Sequence, residues 1–496
     1  MAQNLLTSNI PSRPLGNLEI FFKMLADAGK PLRREHWTIH CALRLVFHPP
    51  VADPVPYLRR AWQILRYQHP ALGATISPSG AEDPTARPHL SVGPLDAEAW
   101  ANDTFTVCRD HKSAVDLFSS LYSTATATGY WIPTSSEVVI RSSHWRIDGA
   151  GMALLSHDFM TALASVLQHG VDAPLEVLVR GRESVPSLAP NLEVLVRGQP
   201  PSVGSAEGEE DPTLAAGADA LVAEFLRGVP SIGLPTRHGS AESSPGASGC
   251  AVARLDAATT AKVAAACRER GIRVTSAVHA AIIRVTAGFP QHPLSKCYAA
   301  FVPVDLRRSL EAVATPESKA VSKVVGLYFS GLPVCVNSVV PEEGKSIKGF
   351  EDIARDLAAV YARDLLQFWD VGDGSGRKIS LLDLAEPYVR RTTALFGAPV
   401  PEGLPPVQTP DLSSLGKVDT YLQRGYGSAD RGKVEVAGFW IGTEMLNRCV
   451  QFHAWSWRDE LNLGACFNLS YYEEEFVGDI LGKVIQELLL GCGIEP

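Results

Sequence analysis

The feature that most limits how this chain can fold is a pair of tracts with the composition of loops. QPPSVGSAEGEEDPTLAAGA (199–218) and RHGSAESSPGASG (237–249) are rich in Gly, Ser, Pro and charge. Between them, ADALVAEFL can form a helix. A single hydrophobic core stops growing well short of 496 residues, so two domains are the default expectation. The break falls across 199–249, leaving a first half of residues 1–198 and a second half of residues 250–496. Strand and helix patterns alternate in both halves, which places the fold in the α/β or α+β class. In the first half, Leu58, Trp62 and Leu65 give PYLRRAWQILRYQ an amphipathic helical spacing. In the second, CAVARL reads as a strand. DAATTAKVAAACRERG reads as a helix with an Asp N-cap and a Gly stop. TSAVHAAIIRVTAG repeats that logic, CYAAFVPVDLR returns to strand, and FVGDILGKVIQELLLG is an amphipathic helix ending at Gly491. The heptapeptide LEVLVRG occurs at 175–181 and again at 192–198. Two copies are too few for a solenoid, so it is expected to be a local duplication in a surface connection.

Composition narrows the function. A net charge of -9 with no offsetting basic run argues against nucleic acid as the main partner. The nine cysteines are scattered and none forms a C-x-x-C pair, so no metal site is expected. The start MAQNLLTSNIPSRPLG lacks the apolar core of a signal peptide, and no run of 18 apolar residues occurs. The expectation is a soluble cytoplasmic monomer with reduced thiols.

One motif carries chemistry. In VVIRSSHWRIDGAGMALL (138–155), an apolar strand gives way to a glycine-rich turn and then to helical spacing. His144 stands at the strand end and Asp148-Gly149 just beyond the turn, where side chains are presented to ligands. Alone, the pattern is explained by a buried histidine and a turn-forming Asp-Gly. It is accompanied by VPVDLR (302–307), VVGLYFSGLPV (324–334) and SSLG (413–416). GKS (344–346) lacks the leading glycine of a phosphate loop, and GYGSAD (425–430) lacks a dinucleotide fingerprint's last glycine. His279, His157, His69 and His453 have no companion motif. Phe439, Trp440, Trp455 and Trp457 read as core packing.

In this order the motifs resemble the acyltransferase superfamily of the plant BAHD enzymes, chloramphenicol acetyltransferase and peptide-synthetase condensation domains. LGNLE, PSIGLP (230–235) and a W-x-W strand followed by ACFN resemble the fungal trichothecene 15-O-acetyltransferase group. Condensation domains usually carry two adjacent histidines, and here Ser143 takes the first place. The resemblance implies two chloramphenicol-acetyltransferase-like halves with the active site in a channel between them. It implies a fungal enzyme of secondary metabolism that moves an acyl group, acetyl being expected, from acyl-CoA to a hydroxyl of a terpenoid or polyketide, with no bound cofactor. His144 is the implied general base, an imidazole being neutral above roughly pH 6.5. Asp148 is implied to pair with Arg307 (Arg308 in reserve) and hold the loop. Gly149 and Gly151 let the backbone turn and leave the channel open. Ser414, or alternatively Ser413, is implied as an oxyanion donor, with Gly416 supplying a backbone turn. The competing readings are a condensation or cyclisation enzyme without a CoA donor, and a binding protein that has lost catalysis.

Overall fold

The strand Ile39–His48 shows why the first half builds its sheet where it does. Its first five residues are all buried, and outward-facing Arg44 and Val46 then alternate with buried Leu45. A strand covered on both faces belongs in the middle of a sheet. It is the third of six, in the order Gly425–Ser428, Gly432–Thr443, Ile39–His48, Glu137–Ser142, Thr128–Ile132, Phe105–Val107. All neighbours are antiparallel except the last pair. The computed structural model describes residues 11–77, 87–179, 188–198, 210–240, 243–313, 323–342, 344, 346–372 and 374–495.

The two strands at one side of this sheet come from residues 425–443. The chain therefore does not stay within the halves drawn from its sequence: the second half returns and completes the sheet of the first. The second half has its own four-stranded sheet, ordered Asp411–Lys417, Gln451–Trp457, Glu460–Asn468, Ser248–Leu255. Arg458 and Asp459 join its two middle strands, and both take positive φ, as a two-residue hairpin turn requires. Tyr298–Asp305 and Phe329–Val336 form a separate antiparallel ribbon.

Helix Gly149–His169 lies on helix Val55–Gln68 in the first half. By length and composition it is apolar enough to cross a membrane. Most of its apolar stretch is buried instead, and Met152, Leu155, Phe159 and Met160 lie wholly inside the core. In the second half, helix Val274–Ala287 packs on Phe350–Tyr361 and Glu474–Gly491. Helix Pro212–Leu226 falls within the tract read as a linker, yet it packs on helix Leu381–Gly397. The second heptapeptide copy is likewise no surface connection. It forms helix Leu192–Arg197, sinks Leu192 and Leu195 into the second core, and uses Glu193 to accept the Asn17 N–H at 2.6 Å. The first copy forms helix Leu175–Leu178, and its last two residues lie outside the described chain.

Side-chain alternation explains how the two halves meet. On strand Gln451–Trp457, Phe452 and Ala454 enter the core of the second half. Trp455 and Trp457 point the other way and join the core of the first. Cys466, opposite Gln451, also belongs to the first core. One face of this sheet is therefore a seam against the first half. It is closed by tryptophan where the strand ends and polar where the strand begins.

Candidate active site

Strand Glu137–Ser142 ends one residue before the turn that carries His144. Asp148 follows as N-cap of helix Gly149–His169, accepting the Gly151 N–H at 2.6 Å. A Cβ on Gly151 would meet Ile147 at 2.8 Å and the Gly326 carbonyl at 3.0 Å, so this position excludes a side chain. Gly149 is different. A Cβ there would meet Leu415 at 3.6 Å and Ile441 at 3.9 Å, both ordinary contacts, so close approach calls for glycine at 151 and not at 149. Gly149 does line the channel.

The structure brings Arg307 onto Asp148. The guanidinium donates to both carboxylate oxygens at 3.0 Å, and Tyr328 N–H adds a fourth donor at 2.7 Å. Arg307 also donates to Asp305 at 2.9 Å and to the carbonyls of Val324 and Gly326. Burial works against its charge, but Asp148 and then Asp305 more than offset this and raise its pKa. Arg308, one residue on, is exposed.

This hub lines a cavity between the halves, about 1320 Å³ of space open to solvent. His144, Ser413 and Ser414 all line it. The His144 ring stacks on Phe22 at 4.3 Å between centroids and tilts against Phe329 at 5.7 Å. Its Nδ1 is buried without a well-formed partner, and the backbone group that acts on the ring is its own carbonyl. Burial lowers its pKa to about 4, against weaker support from that carbonyl and from Asp148. The imidazole is thus neutral at pH 7 with a wide margin, and its titration lies below the 6.5 expected from sequence. Ser414 shares a hydrogen bond with Thr275 at 3.2 Å between hydroxyl oxygens. Beside it the strand bulges between Ser414 and Gly416, and Gly416 takes φ +65°, which favours glycine. Ser143 is turned into a buried network, donating to Glu35 at 3.0 Å and accepting from Arg146 at 3.2 Å.

Sequence reasoning missed part of this wall. His453 was given no role, yet it lines the cavity, hydrogen-bonds Thr443 at 3.2 Å, and is pushed down to about 3 by burial and then by His144. Asp411, Gln451, Phe22 and Trp37 also line it. The available signal was period two: in DLS and QFHA, polar residues alternate with apolar ones that the core absorbs. His279 fits the reading of a satisfied core histidine, with Tyr361 and Tyr298 hydroxyls at 3.0 and 2.7 Å. Phe439, Trp440, Trp455 and Trp457 are all core residues.

Known proteins resemble this chain in sequence and in fold. Residues 244–385 match the family model "Phthiocerol/phthiodiolone dimycocerosyl transferase C-terminus". The structure of TRI3 trichothecene 15-O-acetyltransferase from Fusarium sporotrichioides superposes with a TM-score of 0.72 at 16% identity, over 97% of this chain and 95% of that one, a likeness of fold. Acetyltransferase pigO of Monascus ruber is 25% identical over 97% of this chain and 96% of its own length. A protein of Epichloe uncinata named loline biosynthesis cluster 1 transcription factor lolU1 is 31% identical over 97% of this chain and 95% of its own. The chain belongs to this family of condensation-domain-like acyltransferases. In this acyltransferase, His144, the Asp148–Arg307 hub and both candidate serines meet at one cavity between two halves.

Proposed function

We propose that the protein transfers an acyl group, acetyl by preference, from acyl-CoA to a hydroxyl of a secondary metabolite such as a terpenoid or polyketide. The observation that carries this is His144: a neutral imidazole in an inter-half cavity, its Nδ1 without a hydrogen-bond partner among the described residues. With the proton on Nδ1, the Nε2 lone pair faces substrate. His144 takes the acceptor's hydroxyl proton as the oxygen attacks the thioester carbonyl. The C–S bond then breaks, and the imidazolium returns the proton to the departing sulfur. The products are an ester and free CoA. Ser414, held by Thr275, donates to the oxyanion while the carbonyl carbon is tetrahedral. Asp148 and Arg307 are positioning residues. They fix the turn between strand and helix and so the place of the imidazole. The only Arg or Lys on the described cavity wall is Arg307, already spent on two carboxylates, so the donor's phosphates stay at the mouth while its pantetheine arm enters.

The name of lolU1 speaks of transcription. A DNA-binding face needs a concentration of Lys and Arg, and a chain of net charge -9 favours transfer. The test is thiol release from acetyl-CoA over a panel of alcohols. His144→Ala should lower the rate on the order of 10²-fold or more. Wild-type turnover in a folded variant would remove His144 from the chemistry. The wild-type rate should stay level from pH 7 to 5 and fall only near pH 4, with the imidazole.

A further inference from the structure

Asp411 stands at the wall of the same cavity, and its Oδ1 is buried with no partner among the described residues. Alternation settles where it points. Leu412 enters the core of the second half, so Asp411 and Ser413 face the cavity. The adjoining strand repeats the pattern with Gln451 and His453. The register pairs Asp411 with Gln451 and Ser413 with His453, giving a square of four polar side chains on one sheet face. Rings also line the cavity, among them Phe301, Phe329 and Tyr388.

A carboxylate in such a place costs free energy unless something pairs with it. Among the described residues nothing pairs with Oδ1 and no cation stands against the carboxyl; its own backbone gives it only weak support. Tyr298, behind it, donates its hydroxyl to the Pro410 carbonyl and meets His279. Cys449 is a buried thiol. The cavity's cation, Arg307, is held by Asp148 and Asp305. Burial pushes the Asp411 carboxyl up to about 7, as befits a group with no counter-charge.

We infer that Asp411 selects the acceptor: it binds a hydrogen-bond-donating group, a protonated amine or a second hydroxyl, remote from the hydroxyl that is acylated. Held there, the acceptor lies along the polar square with its reacting end toward His144. This rests on the cavity being the transfer site, so the test measures binding rather than turnover.

The probes are cyclohexylmethylamine and cyclohexylmethanol, one apolar body with two head groups, titrated against the full chain by ligand-observed NMR. The wild-type protein should bind at least one. Asp411→Ala should weaken that binding about tenfold or more, the scale of a lost charge-assisted hydrogen bond. Asp411→Asn separates the sources. Loss of the amine alone identifies a cationic group, whereas an alcohol that survives Asn and fails with Ala identifies a hydroxyl. If the Ala variant does not fold, Asp411→Val, a better strand former, takes its place. Unchanged affinity in the folded variants, or no binding of either probe to the wild type, overturns the inference. His144→Ala is the control: it should keep probe binding and lose transfer. Transfer surviving in His144→Ala would sink the catalytic reading without touching the probe result.

Discussion

Of the three carboxylates that line the cavity, Asp148 and Asp411 have completely different surroundings. Asp148 accepts from Arg307 twice, from the Gly151 N–H and from the Tyr328 N–H. Asp411 accepts from no described residue at its Oδ1. Around Asp148 every donor is built into the chain, so the charge belongs to the fold and joins the halves. Around Asp411 Oδ1 no described residue supplies a donor, and in the inferred role the acceptor brings it.

The sharpest way to break that contrast is to remove each charge in turn. Arg307→Met should cost about 3–5 kcal/mol, because it strands Asp148 as a buried charge. Asp148→Asn should do similar damage, and the double variant should lose less than the sum. Urea denaturation reads all three. Asp411→Asn should leave stability unchanged or slightly raised. A loss as large as that of Asp148→Asn would erase the distinction between the two sites.

Acid provides the next test. Burial lowers the pKa of His36, His144, His279 and His453 to between about 3 and 4, and that of His40 well below its usual value. Each binds a proton more weakly folded than unfolded. Its contribution to stability is complete above roughly pH 6.5 and is lost as pH falls toward 3, by at most about 1.4 kcal/mol per pH unit. Asp411 runs the opposite way, since its raised carboxyl favours the folded state most at low pH and gives this up between roughly 4 and 7. Burial raises the carboxyls of Glu193, Asp305 and Glu444 in the same sense, so five histidines stand against four carboxyls. Between pH 6.5 and 5 the histidines, which take up protons there when unfolded, set the sign as a net loss on acidification. Melting temperatures should fall from pH 6.5 to 5, and replacing His279 with Phe should flatten the slope. An unchanged melting temperature across that range counts against the buried neutral histidines.

The smallest expected effect belongs to Ser414. Ser414→Ala should lower kcat about tenfold with little change in KM, because the contact strengthens only in the transition state. Thr275→Val, which removes the partner of that hydroxyl, should give a fraction of the same loss. A rise in KM at constant kcat would make Ser414 a binding residue on the Asp411 side of the comparison.

How much of this was legible in the sequence follows from how local each signal is. The strand, turn and helix around His144 were readable because one short segment contains them. Asp148 reaches Arg307 across 159 positions, and only the family resemblance linked VDLR to the earlier motif. Helices such as 257–269 announced themselves with an Asp cap and a Gly stop. The return of residues 425–443 into the first sheet was invisible, since GFWIG reads as a strand without saying which strand it will join. His453 was missed for a related reason. A polar residue on a strand has no assigned face until its neighbours have chosen theirs. The low titration of His144 was likewise unreadable, because it comes from Phe22 and the other groups that enclose the ring, not from the motif.

The returning strand has one more consequence, for anyone who would take this protein apart. Gly432–Thr443 covers the edge of Ile39–His48 along ten paired positions. A fragment ending before residue 210 would lay that edge bare, a long apolar template open to other copies. Such a piece would aggregate by itself and become soluble only when its complement is made alongside it. The molecule is two halves to the eye and one unit to the ribosome.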